Sequence, residues 1–200
     1  MKNDKVKWLT KVGMLSAIAW VLMLLEFPVA FFFPPWLQMD LSDLPALLAG
    51  FSLGPAAGVC VELVKNLLHM LTKGLSFGGA GQLANFLVGI AFVWPAAMIY
   101  KKHKTLKRAI VGMAAGALCM GVVGMLANYY ILIPVAFPGD ALSGMSTAAV
   151  PIAGALGAGQ MGFLGAYVIF GVLPFNLIKA VLVSLLTGVL YKRLSGILHR

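Results

Sequence analysis

Three ionisable side chains stand where ionised groups are costly. Glu62 and Lys65 lie within VCVELVKNLLHML and Lys179 within GVLPFNLIKAVLVSLL, both otherwise apolar runs. Near a bilayer centre each such group costs roughly 2.5–3.5 kcal/mol on insertion scales unless it is paired or hydrated. Glu62, Asn66 and His69 are spaced i, i+4 and i+7, with Lys65 beside Asn66, so one face of a helix is polar there and must look inward. Asn85, Asn128 with Tyr129 and Tyr130, and Asn176 add uncharged donors and acceptors. Asn176 precedes Lys179 by three residues and shares its side of a helix. Converging, these groups surround a polar cavity. Scattered, they tie helices together by interhelical hydrogen bonds and a pair between Glu62 and Lys65 or Lys179. The converging reading is preferred, because a purely structural role must satisfy many buried amides at once.

Amides, phenols and one or two ammonium groups without an arginine suit a largely uncharged solute rich in hydrogen-bonding edges better than a phosphate or dicarboxylate. Phe31, Phe32, Phe33 and Trp36 either stack on a flat ring at the mouth or form an interfacial aromatic belt. A planar heterocycle with a polyol tail matches both needs. Gly74-Leu75-Ser76-Phe77-Gly78 matches G-x-S-x-G, the nucleophile elbow, yet it falls between two membrane helices rather than between a strand and a helix. No G-x-x-x-x-G-K-[ST] occurs, so the chain has no P-loop of its own and any active transport must borrow its energy. His103 and His199 lack metal-ligand spacing, and Cys60 and Cys119 read as packing residues, so neither a metal nor a catalytic centre is indicated.

The elements that must position these groups are membrane spans. Of 200 residues, 61% are hydrophobic and 10% charged, against about 45–50% and 25% in a soluble domain. A mean hydropathy of +0.96 requires lipid to cover most of the surface, since a chain of this length has too little interior to hide it. At about 20 residues per span no room is left for a soluble catalytic domain, and residues 1–200 read as one integral membrane domain. The formal charge of +9, from 15 Lys+Arg and 6 Asp+Glu, does not point to nucleic acid. It is concentrated in Lys2 to Lys11, Lys101 to Arg108, and Lys192, Arg193 and Arg200, short flanks of the kind that mark cytoplasmic loops touching anionic headgroups. The basic head and apolar run at the N-terminus lack a cleavage site and read as an uncleaved first span.

Apolar segments run over 12–33, 44–72, 82–100, 109–136 and 161–191. Five spans place the 101–108 cluster opposite the basic N-terminus, against the charge rule. The 44–72 segment is long enough to divide, and Gly54-Pro55 is a turn dipeptide within it. Division gives an all-α bundle of six transmembrane helices with both termini cytoplasmic and with Asp40, Asp43, Lys73 and Asp140 outside. The second span, 44–53, is then too short to cross a core about 30 Å thick and must be shielded by neighbours or meet thinned lipid. The 109–136 and 161–191 spans are longer than needed and must tilt or extend outward. Segments 31–45, 74–82 and 138–160 read as lids or binding loops. Gly13-x-x-x-Ala17 and Gly112-x-x-x-Gly116, with Gly121, are small-residue surfaces for helix packing, and Gly13 with Ala17 is the pair placed to dock another membrane protein.

LMLLEFP (22–28), LSDLPALLAGFSLGP (41–55), VELVKNLLH (61–69), ANFLVG (84–89), ANYY (127–130) and PFNLIKA (174–180) together resemble the riboflavin-binding S components of energy-coupling factor (ECF) vitamin transporters, in order and over nearly the whole chain. The resemblance implies an S-component-like six-helix bundle in a bacterial cell membrane, with riboflavin as transported ligand and no cofactor. It implies Met39, Asp40 and Leu41 in a covering loop and Asn85, Asn128, Asn176 and Lys179 as polar contacts. Glu62 and Asn66 match the family's third-helix motif, as contacts or as groups that order the site; Tyr129 joins the set from ANYY. Gly13 and Ala17 would meet the transmembrane coupling subunit, EcfT, with Gly13 standing where the family's A-x-x-x-A surface has alanine. Two ATPase subunits would complete the transporter. Kept beside this reading are an S component for another vitamin, an intramembrane hydrolase using Ser76, and a structural membrane scaffold.

Overall fold

The structure is a computed structural model that describes residues 2–29, 33–34, 36–138 and 163–198. Phe31, Phe32, Asp140, Arg200 and nearly all of the 138–160 segment lie outside them. Among the described residues six helices make the bundle: α1 (Lys2–Leu24), α2 (Asp43–Leu53), α3 (Pro55–Lys73), α4 (Ala80–Lys102), α5 (Leu106–Ala127) and α6, which takes its main body from Leu173–Leu198. Helix α5 runs on through a π-helical segment, Asn128–Leu132, into a last turn, Ile133–Ala136. Before its main body α6 has a turn, Phe163–Ala166, and a second π segment, Tyr167–Val172. The length of the two long spans is thus partly absorbed by wider turns.

Helices α1, α4, α5 and α6 are long and apolar enough to cross a membrane. Helix α3 has the length but carries Glu62, Lys65 and Lys73, whereas α2, at 11 residues, rises only about 16 Å. Gly54 separates the two at φ 104° and ψ 164°, a conformation open to glycine, and Pro55 opens α3 where its missing N–H costs nothing. Every residue from Asp43 to Phe51 is buried. Neighbouring helices α1, α3, α4 and α6 therefore supply the shielding that so short a span needs.

The first span ends earlier than its hydropathy predicts. After Leu24 the chain turns extended, and β1 (Phe27–Pro28) pairs antiparallel with β2 (Gln38–Met39), Phe27 opposite Met39. Pro28 biases Phe27 away from helix, and Glu26 is drawn back toward the end of α3 by two polar partners. Residues 25–29, which the hydropathy assigns to a helix, thus lead into a covering hairpin.

Glycine sets the tightest contacts. A β-carbon at Gly112 would meet the Ala96 carbonyl oxygen at 2.6 Å, and one at Gly116 the Phe92 carbonyl, so the α4–α5 approach requires this spacing. Gly13, by contrast, faces open space. Between the helices lies one apolar core around Ala46, Leu47, Phe92, Ala96 and Met120. A second cluster, around Leu37, Ile133, Tyr167 and Phe175, joins the covering loop to α5 and α6.

Candidate functional site

At the end of the bundle remote from the 101–108 turn, a cavity of about 470 Å³ opens among the helices. Its wall takes Met23 and Glu26 from the exit of α1, Trp36 to Gln38 and Asp40 from the covering loop, and His69 from α3. Ser76, Phe77, Gln82, Asn85 and Val88 close one side, and Asn128, Leu132, Phe175, Asn176 and Lys179 the other. Asp40, Asn85, Asn128, Asn176 and Lys179 are thereby brought to one chamber.

The remaining predicted residues take other places. Glu62, fully buried, lies beneath the cavity, where its Oε2 is 2.8 Å from the Lys65 ammonium. Gly89 makes room for that carboxylate, which any β-carbon there would strike. Asn66 donates to the Glu62 carbonyl at 2.9 Å and to Asn85 Oδ1 at 3.3 Å, so it orders a wall residue and is not itself on the wall. Met39 points into the second apolar cluster, and Leu41 packs half-buried on the main core. Tyr129 is 41% exposed and is not part of the chamber's wall, whereas the adjacent Asn128 is. Gly13 and Ala17 lie on the outward face of α1, where the flanking Met14 and Ile18 are also exposed.

Asp40 and Asp43 are both buried. Lys179 lies 2.8 Å from Asp40 Oδ2 and 3.1 Å from Asp43 Oδ2, while Lys65 contacts Asp43 Oδ1 and donates to Ser42 Oγ at 2.8 Å. Asp40 Oδ1 accepts from the Ser42 amide at 2.7 Å. Five ionisable side chains from the covering loop, α2, α3 and α6 are thus joined in one buried chain. Coulomb attraction in a low-dielectric interior favours this, and the N-terminus of α2 adds its dipole for Asp43. A signal lay in the sequence: two lysines and one glutamate within apolar runs leave a cation in excess, and D-L-S-D stands next to the shortest span. Glu26, the lone carboxylate of LMLLEFP, gives the same kind of signal and binds Lys73 at 2.8 Å and His69 at 3.2 Å.

The amides are partly spent within the protein. Asn128 Nδ2 donates to the Gly124 carbonyl at 2.9 Å and its Oδ1 accepts from the Tyr167 hydroxyl at 2.7 Å, which in turn accepts from Trp36 Nε1 at 2.9 Å. This relay fixes the covering loop to α5 and α6. Asn176 donates to the Val172 carbonyl at 2.9 Å, which leaves its Oδ1 for the cavity. The Asn85 amide nitrogen is likewise left as a donor, its Oδ1 being taken by Asn66. Tyr167 carries no signal in the sequence, since no inward periodicity survives across a π segment.

Among the described residues no base is bonded to Ser76. Its Oγ accepts from Gln82 Nε2 at 3.2 Å, while the nearby imidazole of His69 is bound to Glu26. The same Gln82 accepts from the Ser76 amide at 3.1 Å and donates to the Gly74 carbonyl at 2.9 Å, clamping the turn that opens α4. Within that turn Phe77 stands at φ 49° and ψ 52°, a left-handed conformation costing about 1–3 kcal/mol for a bulky residue. The elbow motif here shapes a wall; it does not assemble a nucleophile.

A helical membrane bundle enclosing a solute-sized chamber of neutral amides, aromatic rings and fully paired ions is a solute-binding protein of the transporter type. A model of the family "ECF transporter, substrate-specific component" matches residues 7–191, and the chain belongs to that family. It is 40% identical over 195 residues to riboflavin transporter RibU of Staphylococcus aureus (strain TCH60), covering 97% of this chain and 93% of that one. With riboflavin transporter FmnP of Bacillus subtilis (strain 168) it shares 35% identity over 192 residues, 96% of this chain and 93% of the relative. A solved structure, described as that of the S component of a bacterial ECF transporter, superposes with a TM-score of 0.73 at 34% identity and full coverage of both chains. The hydrolase and scaffold readings give way to these findings: the family is one of transporter components.

Proposed function

We propose that this chain is the riboflavin-binding component of an ECF importer in a bacterial cell membrane, which it crosses six times with both termini in the cytoplasm. The observation that carries this is the chamber: about 470 Å³ lined by neutral amides and aromatic side chains, its one lysine already held by two carboxylates. Such a wall recognises a flat heterocycle and its hydroxylated tail through hydrogen bonds and stacking without asking for a charge. Asn85, Asn176 and Lys179 are the proposed polar contacts, with Asn128 and Asp40 holding the wall in place. Glu62, Asn66, Met39 and Leu41 act behind it.

Release to the cytoplasm needs energy that the chain cannot supply, having no P-loop. A transmembrane coupling subunit and two ATPase subunits are the proposed partners, and the exposed Gly13 and Ala17 face of α1 is the proposed contact. Glycine at position 13 keeps that face flat. The reading is tested by purifying the protein in mild detergent, recording one visible spectrum and titrating riboflavin fluorescence. A flavin chromophore or quenching at submicromolar protein supports it. Absence of both rejects it, and a competition panel of other vitamins then separates a different S component from a protein that binds none.

A further inference from the structure

We propose that Phe77 is the stacking residue of the chamber, held by a left-handed backbone so that its ring lies against the flat ring of the bound solute; this rests on the flavin reading above. Phe77 is the one non-glycine residue at positive φ among the described residues. Glycines occupy positions 74, 78, 79 and 81 around it, so the turn is built for a residue without a side chain and carries an aromatic ring instead.

That ring does not fill the core. It is 38% exposed, and it lines the cavity. Phe137 stands 6.2 Å from it between ring centroids, and Phe137 continues to Trp36 at 5.0 Å. Phe77 from the α3–α4 turn and Trp36 from the covering loop thus line the same cavity, with Phe137 at the end of α5 between them. The turn is secured from behind: Gln82 makes three hydrogen bonds to Gly74 and Ser76, and only glycine fits at position 81, where a β-carbon would lie 2.8 Å from that of Ser76. A strained backbone braced on one side and presenting a half-exposed ring to a cavity on the other is organised around what that ring meets. A planar aromatic solute is the partner it fits, by offset or edge contact.

The test titrates riboflavin fluorescence with wild-type protein and with Phe77→Gly, Phe77→Leu and Phe77→Trp, alongside thermal midpoints. Phe77→Gly relieves the backbone, so its midpoint should hold or rise, while its affinity falls about tenfold. Phe77→Leu keeps apolar volume without the ring and should lose the same; Phe77→Trp should stay within about fivefold of wild type. A loss below about fivefold in Phe77→Leu, or a Phe77→Trp loss equal to that of Phe77→Leu, overturns the proposal and leaves the flavin reading standing. Wild-type protein that does not quench riboflavin overturns the flavin reading and this proposal with it.

Discussion

The Lys179 ammonium lies 2.8 Å from the Asp40 carboxylate, closing a contact across 139 positions of chain between the last helix and the loop that covers the cavity. Asp43 holds the same ammonium from the other side at 3.1 Å. Lys179 is therefore both a wall residue and the pin of the loop. Lys179→Met leaves two buried carboxylates without their shared cation, and truncating one side of a buried pair costs about 3–5 kcal/mol. The variant should show a lowered thermal midpoint in detergent and weak riboflavin quenching. Asp40→Asn combined with Lys179→Met should recover part of the stability but not the binding. Binding equal to wild type in Lys179→Met would remove Lys179 from the wall.

Asn176 has spent one donor on the Val172 carbonyl and keeps its Oδ1 for the chamber. A neutral hydrogen bond contributes about 0.5–1.5 kcal/mol net, so Asn176→Ala should weaken riboflavin by about tenfold with little change in melting. Tyr129→Ala, on the outward side of the same bundle end, should leave affinity unchanged. Isothermal or fluorescence titration of the two variants in parallel distinguishes an inward amide from an outward phenol.

Gly89 leaves the space that the Glu62 carboxylate occupies. Gly89→Ala forces that buried group, with its Lys65 partner, out of place, and overpacking of this kind costs about 1–3 kcal/mol. The expected outcome is a lower thermal midpoint. Gly13→Ala, where a β-carbon meets nothing, should melt like wild type, and equal midpoints in Gly89→Ala and Gly13→Ala would contradict the placement of Glu62.

A bulky residue on the outward face of α1 separates binding from transport. Gly13→Leu should bind riboflavin as the wild type does and yet fail to co-purify with a coupling module or support uptake in cells. Uptake unimpaired by Gly13→Leu would move the docking face elsewhere.

The helix count was legible because it follows from local rules. Basic flanks must share a side, and Gly54-Pro55 offers the one break that restores the parity. The inward face of α3 was legible for the same reason: a 3.6-residue period needs no partner to define it, and Glu62, Lys65, Asn66 and His69 are all buried. Hydropathy misled at residues 25–29, where the apolar segment enters a hairpin and does not lengthen the span.

By itself the sequence determined the class of molecule, the number of helices, the polar face of α3 and, through the order of its motifs, the family. Only the tertiary structure decided that Asp40 and Asp43 share Lys179, that Tyr167 and not Tyr129 meets Asn128, and that Glu62 lies under the chamber instead of on its wall. The physical reason is range. Periodicity and charge flanks act over one turn or one loop, whereas a buried ion pair is a choice among partners far apart in the chain, and a π segment resets the helical phase on which any inward or outward assignment depends.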